Sequence, residues 1–184
     1  IPTYPYDKEM TSLIEWPRLI KDRWSRKKLK HYIDRIVTFS DDDVIFGIPT
    51  IRTMNGIDFD TVPLREVHTD AEAEIHAIMV ANFASWHGLD KLIDGMISYY
   101  SEQPERTLIL HIVGGGKVVD EEIERVAHSI VKDYVIFHGP LAGAALLDLY
   151  DRVTLAIDIC DIDEHGIFIS SSLKTREYVA KGLP

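Results

Sequence analysis

The last eighteen residues, IFISSSLKTREYVAKGLP (Ile167–Pro184), hold the residue types and spacing best suited to gripping an anion. A short β-prone run, Ile167–Ile169, gives way to Ser170, Ser171 and Ser172, and Leu173–Lys181 is helix-forming. Ser172 suits the N-cap, where a hydroxyl accepts from a backbone N–H two or three residues on. Gly182 suits the position past the helix end, and Pro184 prevents continuation. A helix start fed by a loop presents unpaired N–H groups, and these attract phosphate. Lys174 is the second helical position and Glu177 the fifth, so the two lie three apart on one face. The expected chemistry is a cation beside a diphosphate and, a turn deeper, a carboxylate accepting from ribose hydroxyls. The plainer reading is a capped surface helix with an exposed Glu177–Lys181 pair, and such helices are common.

The elements that must position this segment follow a regular alternation. His76–Phe83 (HAIMVANF) is strand-like, and Leu89–Tyr100 has apolar residues at helical spacing. Leu108–Val113 (LILHIV) reads as a buried strand ending in Gly114, Gly115 and Gly116. Val118–Val131 is a helix, Val135–Phe137 a short strand closed by His138-Gly139-Pro140, Ala142–Tyr150 a small helix and Val153–Ile159 a further strand. Apolar strands alternating with helices predict an α/β domain, a doubly wound parallel sheet covered on both faces. Ligands of such sheets bind beyond the carboxyl ends of the strands. Asn82–Gly88, Gly114–Lys117, His138–Pro140 and Ser170–Lys174 should therefore converge on one crevice. The glycine triplet matches neither the P-loop nor the dinucleotide fingerprint. It is either a close backbone approach to a ligand or a tight strand-to-helix turn. Asp158, Asp161, Asp163 and Glu164 could offer oxygen ligands to a divalent metal, but a solvated acidic loop is the preferred reading. His87 and His165 have no ligand-like spacing.

The first part of the chain is less regular. Met10–Ile33 is helical in composition, interrupted near Trp16-Pro17. Ile36–Phe39 (IVTF) reads as a short buried strand ended by Ser40 and the run Asp41–Asp43, itself a solvated turn or helix start. Pro49–Thr53 is a further short strand, Asn55-Gly56 a turn, and polar Asp58–Ala73 a linker. The 184 residues allow one large domain or two small ones. A net charge of −10 argues against general nucleic-acid binding. Against that average, Arg18–Arg35 holds Arg18, Lys21, Arg23, Arg26, Lys27, Lys28, Lys30 and Arg35 with only Asp22 and Asp34. A basic helix there is a solvated face or a contact for an anionic membrane surface. One cysteine, Cys160, excludes an internal disulfide and fits a reducing, cytoplasmic setting. The opening IPTYPYDKE, without methionine, suggests an excised or processed piece.

Taken in order, VTFS, NGID, VANFASWHGLDKLIDGM, LILHIVGGGK, VIFHGPL, LLDLYDRVTLAI and SSSLKTREYVAKGLP resemble a known family. They are similar to the retaining, nucleotide-sugar-dependent GT-B glycosyltransferases of the group-one, glycogen-synthase-like family. WHGLDKLI with SSLKTREYVAKGLP resembles bacterial members that build surface polysaccharides. The resemblance implies an incomplete C-terminal, Rossmann-like lobe with closing elements of the N-terminal lobe. On that reading residues 1–58 are the remnant of the acceptor lobe, 59–73 a linker, and 74–184 the nucleotide-sugar lobe, truncated at its C-terminus.

By the same resemblance Glu177 matches the family's ribose-holding glutamate. Ser171, Ser172 and Leu173 would offer backbone N–H groups to the diphosphate, with Lys174 beside them. Phe137 and His138 match the loop lining the base, and Gly114, Gly115 and Gly116 the turn near it. The position of the family's other glutamate holds Ile169, and its phosphate-binding arginine and lysine fall at Asn82 or Phe83 and at His87. The implied reaction is retaining hexosyl transfer from a nucleoside-diphosphate sugar to a glycan or lipid-linked acceptor. No cofactor or metal is implied, and the setting is the cytoplasm or the inner membrane face. The 184-residue piece alone is expected to be inactive. A catalytically inactive nucleotide-sugar-binding scaffold, a GT-B epimerase or phosphorylase, and a Rossmann oxidoreductase are the alternatives.

Overall fold

The computed structural model describes residues 16–65, 74–160 and 172–184. The chain divides into two compact units, Ile1–Asn55 and Gly56–Pro184.

In the first unit, helix α1 (Trp16–Arg26) carries Pro17 in its first turn, where a missing N–H breaks no helical bond. Three short strands follow: β1 (Ile36–Thr38), β2 (Val44–Ile45) and β3 (Ile48–Arg52). β3 lies between the others, parallel to β1 and antiparallel to β2. The β2–β3 hairpin turns through Phe46 and Gly47, both at positive φ (54° and 80°), as a two-residue hairpin of the right twist requires. The expected buried strand Ile36–Phe39 is shorter and more exposed than its apolar letters suggest. Val37 is 65% exposed, because β1 is an edge strand with a single neighbour. Asp41–Asp43 form the expected exposed turn, with Asp41 paired to Arg52 and the Asp43 carbonyl accepting from Thr50 N at 3.0 Å.

The second unit is built on a parallel sheet in the order β6-β5-β4-β7. Its strands are β4 (Glu74–Asn82), β5 (Thr107–Gly115), β6 (Val135–Gly139) and β7 (Leu155–Ile157). They alternate with α2 (Leu89–Ser101), α3 (Lys117–Ala127), α4 (Ala144–Tyr150) and, closing the chain, α5 (Leu173–Lys181). This is the doubly wound α/β architecture that the alternation of strands and helices predicts. One face of the sheet buries Ala77, Met79, Leu110 and Ile112 against Leu89, Ile93 and Met96 of α2 and Val119 and Val126 of α3. The other packs Ile78 and Val113 against Tyr150 of α4, Tyr178 of α5 and Leu183. Both faces are covered, which is why the strands read as continuous apolar runs. α3 ends earlier than its periodicity predicts. Ser129 turns its hydroxyl back onto the Val126 carbonyl at 2.9 Å, a local bond that competes with helix continuation.

Helix α5 ends as its sequence indicates. Gly182 takes the left-handed conformation (φ 75°), Gly182 N donates to Val179 O and Leu183 N to Tyr178 O at 2.9 Å, a complete Schellman motif. The exposed Glu177–Lys181 pair is not formed. Lys181 is 1% exposed and its Nζ lies 3.0 Å from Asp151 Oδ1, because this face of α5 packs onto the sheet. Arg65 donates from its backbone N to Lys181 O at 3.0 Å and from its guanidinium to the carbonyls of Gly182 and Val153. No helix among the described residues is long and apolar enough to cross a membrane.

Candidate functional site

The segments that follow β4 and β7 meet the amino end of α5. β4 ends at Asn82, register-paired with Gly115, and Phe83 N donates to Gly115 O at 2.8 Å. Gly114 sits at φ 129° with its missing Cβ position 1.7 Å from Ala81 O; for Gly116, at φ 135°, the obstacle is Phe83 O at 2.4 Å. The glycines therefore let β5 and the start of α3 close onto β4's own backbone. A tight packing turn is sufficient to require glycine at 114 and 116.

After Phe83 the chain makes a 3-10 turn, Ser85–His87. His87 Nδ1 lies 3.0 Å from Ala84 N and 3.2 Å from Ala84 O, so the backbone of this turn holds the ring by that nitrogen in either tautomer. Burial first, then the nearby Lys174 ammonium, holds the His87 pKa below its ordinary value. Its surroundings thus favour the uncharged ring. The His87 carbonyl accepts from Cys160 N at 3.1 Å, tying this turn to the segment that follows β7.

At the head of α5, Ser172 adopts the extended N-cap conformation, but its hydroxyl makes no cap bond. That corrects the capping expected from its type: the backbone turns as required while the side chain does not serve the helix amides. Leu173 is 61% exposed. Lys174 is the feature that stands out. Its side chain is only 15% exposed, and its Nζ lies 3.2 Å from Asp158 Oδ1 without hydrogen-bond alignment. Among the described residues this ammonium has an ionic neighbour and no hydrogen-bond acceptor. The second Asp158 oxygen accepts from the Thr175 hydroxyl. Glu177, half-buried on the Lys174 face, accepts from Tyr150 Oη at 3.3 Å. Burial and the Glu177 carboxylate push the Tyr150 phenol pKa well up, so it remains a donor. On the other side of α5 a pocket of about 450 Å³ is lined by Gly56, Phe59, Asp158, Ser172, Thr175 and Arg176.

The structure thus brings Lys174 and His87 together, with Glu177 on the Lys174 face of α5. Phe137 turns into the helix-covered core, and His138 points to the opposite sheet face. Ser171, Ile169, Asp161, Asp163, Glu164 and His165 lie outside the described residues. Among the described residues no cluster of three acidic, histidine or cysteine side chains could hold a metal. Asp158, read from sequence as one of an acidic group, is instead the partner of Lys174. Residues that sequence reasoning passed over are Tyr150, His76 and His111. The two histidines were legible only as polar letters inside otherwise apolar strands.

No family model matches the sequence, and no curated protein does. Solved structures do match in fold. One described as the GtfA/B complex aligns with a TM-score of 0.53 at 19% identity, over 87% of this chain and 31% of that one. The apo form of the lipopolysaccharide outer core galactosyltransferase WaaB aligns with a TM-score of 0.54 at 16% identity, over 84% and 43%. This chain therefore spans less than half the length of either. At these identities the likeness establishes the fold, a Rossmann-like α/β lobe of the GT-B kind.

Proposed function

We propose that this chain is the nucleotide-sugar-binding part of a retaining glycosyltransferase. The donor is a nucleoside-diphosphate sugar and the acceptor a glycan or lipid-linked saccharide. The observation that carries the reading is the Lys174 ammonium, nearly buried at the first turn of a helix, ion-paired with Asp158 and, among the described residues, without an aligned hydrogen-bond acceptor. A buried donor left unpaired costs about 1–3 kcal/mol. A diphosphate oxygen supplies the missing acceptor, and the amides and dipole at the head of α5 favour the same charge. The His87 ring, in its Nε2–H tautomer, would add a donor beside it, and Glu177, steadied by Tyr150, accepts from ribose.

The reaction proposed is the retaining transfer that the family resemblance implies. The bond from the anomeric carbon to the phosphate oxygen breaks and the bond to the acceptor oxygen forms on the same face. The acceptor's proton passes to the departing phosphate oxygen. Charge grows on the diphosphate as the bond breaks, and dipoles already aimed there stabilise it without reorganising. Cofactor and metal play no part in this scheme, in which Lys174 and the α5 amides take the electrostatic role.

Calorimetry on the 184-residue chain with UDP, GDP and the corresponding monophosphates tests the reading. Binding of a diphosphate at least about tenfold tighter than its monophosphate is expected. Equal affinity for both, or none, would reject it. The second reading, a binding scaffold without turnover, is favoured by Ile169 at the position of the family's second carboxylate. Donor binding without transfer by the full-length protein would select it.

A membrane contact belongs to the same proposal. On α1, Trp16, Ile20 and Trp24 recur every fourth residue and are 61%, 42% and 75% exposed. Exposed Arg18, Lys21, Lys27, Lys28 and Lys30 lie on and just beyond the helix. An aromatic stripe beside basic side chains suits the interface of an anionic bilayer, consistent with a lipid-linked acceptor.

A further inference from the structure

Three histidines on neighbouring strands form a continuous hydrogen-bonded row across the sheet. His76 of β4 is register-paired with Ile109, and His111 lies two residues further along β5. His111 is paired with Ile136, and His138 lies two residues further along β6. Each step is thus a diagonal on one sheet face, climbing toward the carboxyl edge. The register between β5 and β6 shifts at His138, since Ile112 pairs with Phe137 but Val113 with Gly139. A bulge of this kind re-aims the extra side chain. His76 Nδ1 lies 2.9 Å from His111 Nε2, and His111 Nδ1 lies 2.9 Å from His138 Nε2. The rings stack at 5.2 Å in both steps. At the amino end of the row, Glu74 Oε2 is 3.4 Å from His76 Nε2.

Hydrogen-bond logic gives the row a direction. Burial, reinforced by its two neighbours, lowers the His111 pKa to about 4, so this ring is neutral at physiological pH. A neutral imidazole has one N–H and one lone pair. His111 can therefore donate to one neighbour only and must accept from the other. Either both bonds run from His138 toward His76 or both run the other way. Glu74, which can only accept when ionised, favours a proton on His76 Nε2 and leaves His76 Nδ1 as the acceptor. His111 then donates from Nε2 and accepts at Nδ1, so His138 donates from Nε2.

We infer that the row fixes His138 in its Nε2–H form and presents His138 Nδ1 at the carboxyl edge as a hydrogen-bond acceptor. Such an acceptor selects a ligand that donates there. Resting on the nucleotide reading above, the inference specifies a base with an imino N–H, uracil or guanine. Glu74, His76 and His111 are positioning residues, acting through His138.

Long-range ¹⁵N–¹H correlation spectra of the ligand-free 184-residue chain near neutral pH test the tautomers directly. All three rings are expected as Nε2–H forms; an Nδ1–H or doubly protonated His138 would overturn the inference. Glu74→Ala, at an exposed position, should raise the Nδ1–H population of His138, and an unchanged spectrum would remove Glu74 from the role. UDP and GDP are then compared with forms methylated at the imino nitrogen, for which about tenfold or greater loss of affinity is expected. Equal binding of parent and methylated forms overturns the selection. No binding by any of them, with the tautomers as stated, defeats the nucleotide reading and leaves the tautomer assignment standing.

Discussion

Lys174 and Glu177 share a face of α5, yet their expected contributions separate by ligand. Lys174→Ala should weaken inorganic pyrophosphate and nucleoside diphosphates alike, by about 30-fold, the worth of a charge-assisted contact of about 2 kcal/mol. Glu177→Ala should weaken the nucleoside diphosphates by about tenfold and leave pyrophosphate unchanged, since only the nucleoside carries ribose hydroxyls. Titration calorimetry of both variants with both ligands checks the pattern; a loss of pyrophosphate binding in Glu177→Ala would contradict it. The buried pair behind them is asymmetric in a different sense. Lys181 is 1% exposed whereas the Asp151 side chain is 38% exposed. Asp151→Ala strands a buried ammonium and should cost about 3 kcal/mol in urea unfolding, while Lys181→Met leaves only a hydrated carboxylate and should cost about 1 kcal/mol or less. His111 sets a pH dependence. Its folded pKa, about 4, lies below the ordinary 6.5, so the unfolded chain binds the proton first. Stability is full above 6.5 and declines as pH falls toward 4. The loss reaches at most about 3 kcal/mol. Urea midpoints across that window should fall in the parent protein and fall less in His111→Leu.

At the scale of elements, Gly114 and Gly116, at the end of β5 and just past it, fasten the sheet. A Cβ at Gly114 would lie 1.7 Å from the Ala81 carbonyl oxygen, which as backbone cannot rotate aside. Gly114→Ala should therefore cost about 3 kcal/mol or more in urea unfolding, and Gly115→Ala, where the new atom meets only Pro140 at 4.0 Å, far less. The parallel sheet was legible because strands covered on both faces must be apolar throughout, as HAIMVANF and LILHIV are. The C-terminal stop of α5 was legible too, since Gly182 takes a backbone conformation that side chains resist. Other features depend on tertiary neighbours that local pattern does not carry. Lys181 reads as a surface residue by charge and spacing, and only the packing of α5 onto β7 and α4 buries it. The histidine row needs the register of three strands, so no window of sequence contains it. The strand Val44–Ile45 is too short to show a period, and Phe46 in a left-handed turn gives no glycine signal at that position.

At the scale of the whole molecule, a net charge of −10 coexists with a segment, residues 18–35, of eight basic and two acidic residues. Cosedimentation should show binding to vesicles rich in phosphatidylglycerol, little to phosphatidylcholine alone, and release by salt. Replacing Trp16 and Trp24 by Ser should abolish the salt-resistant part; binding indifferent to lipid charge would contradict the contact. The chain spans 31% and 43% of the two solved structures compared above, and the purified 184 residues are expected to bind donor without transferring sugar. Sugar transfer by that piece in a product assay would refute the expectation. The central claim, that a diphosphate sits between the head of α5 and the carboxyl ends of the strands, is tested most directly by backbone amide shift mapping during titration with UDP and GDP. The account predicts the largest changes at Ser172–Lys174 and at His87–Gly88. Shifts confined to other surfaces, with these amides unmoved at saturation, would contradict it.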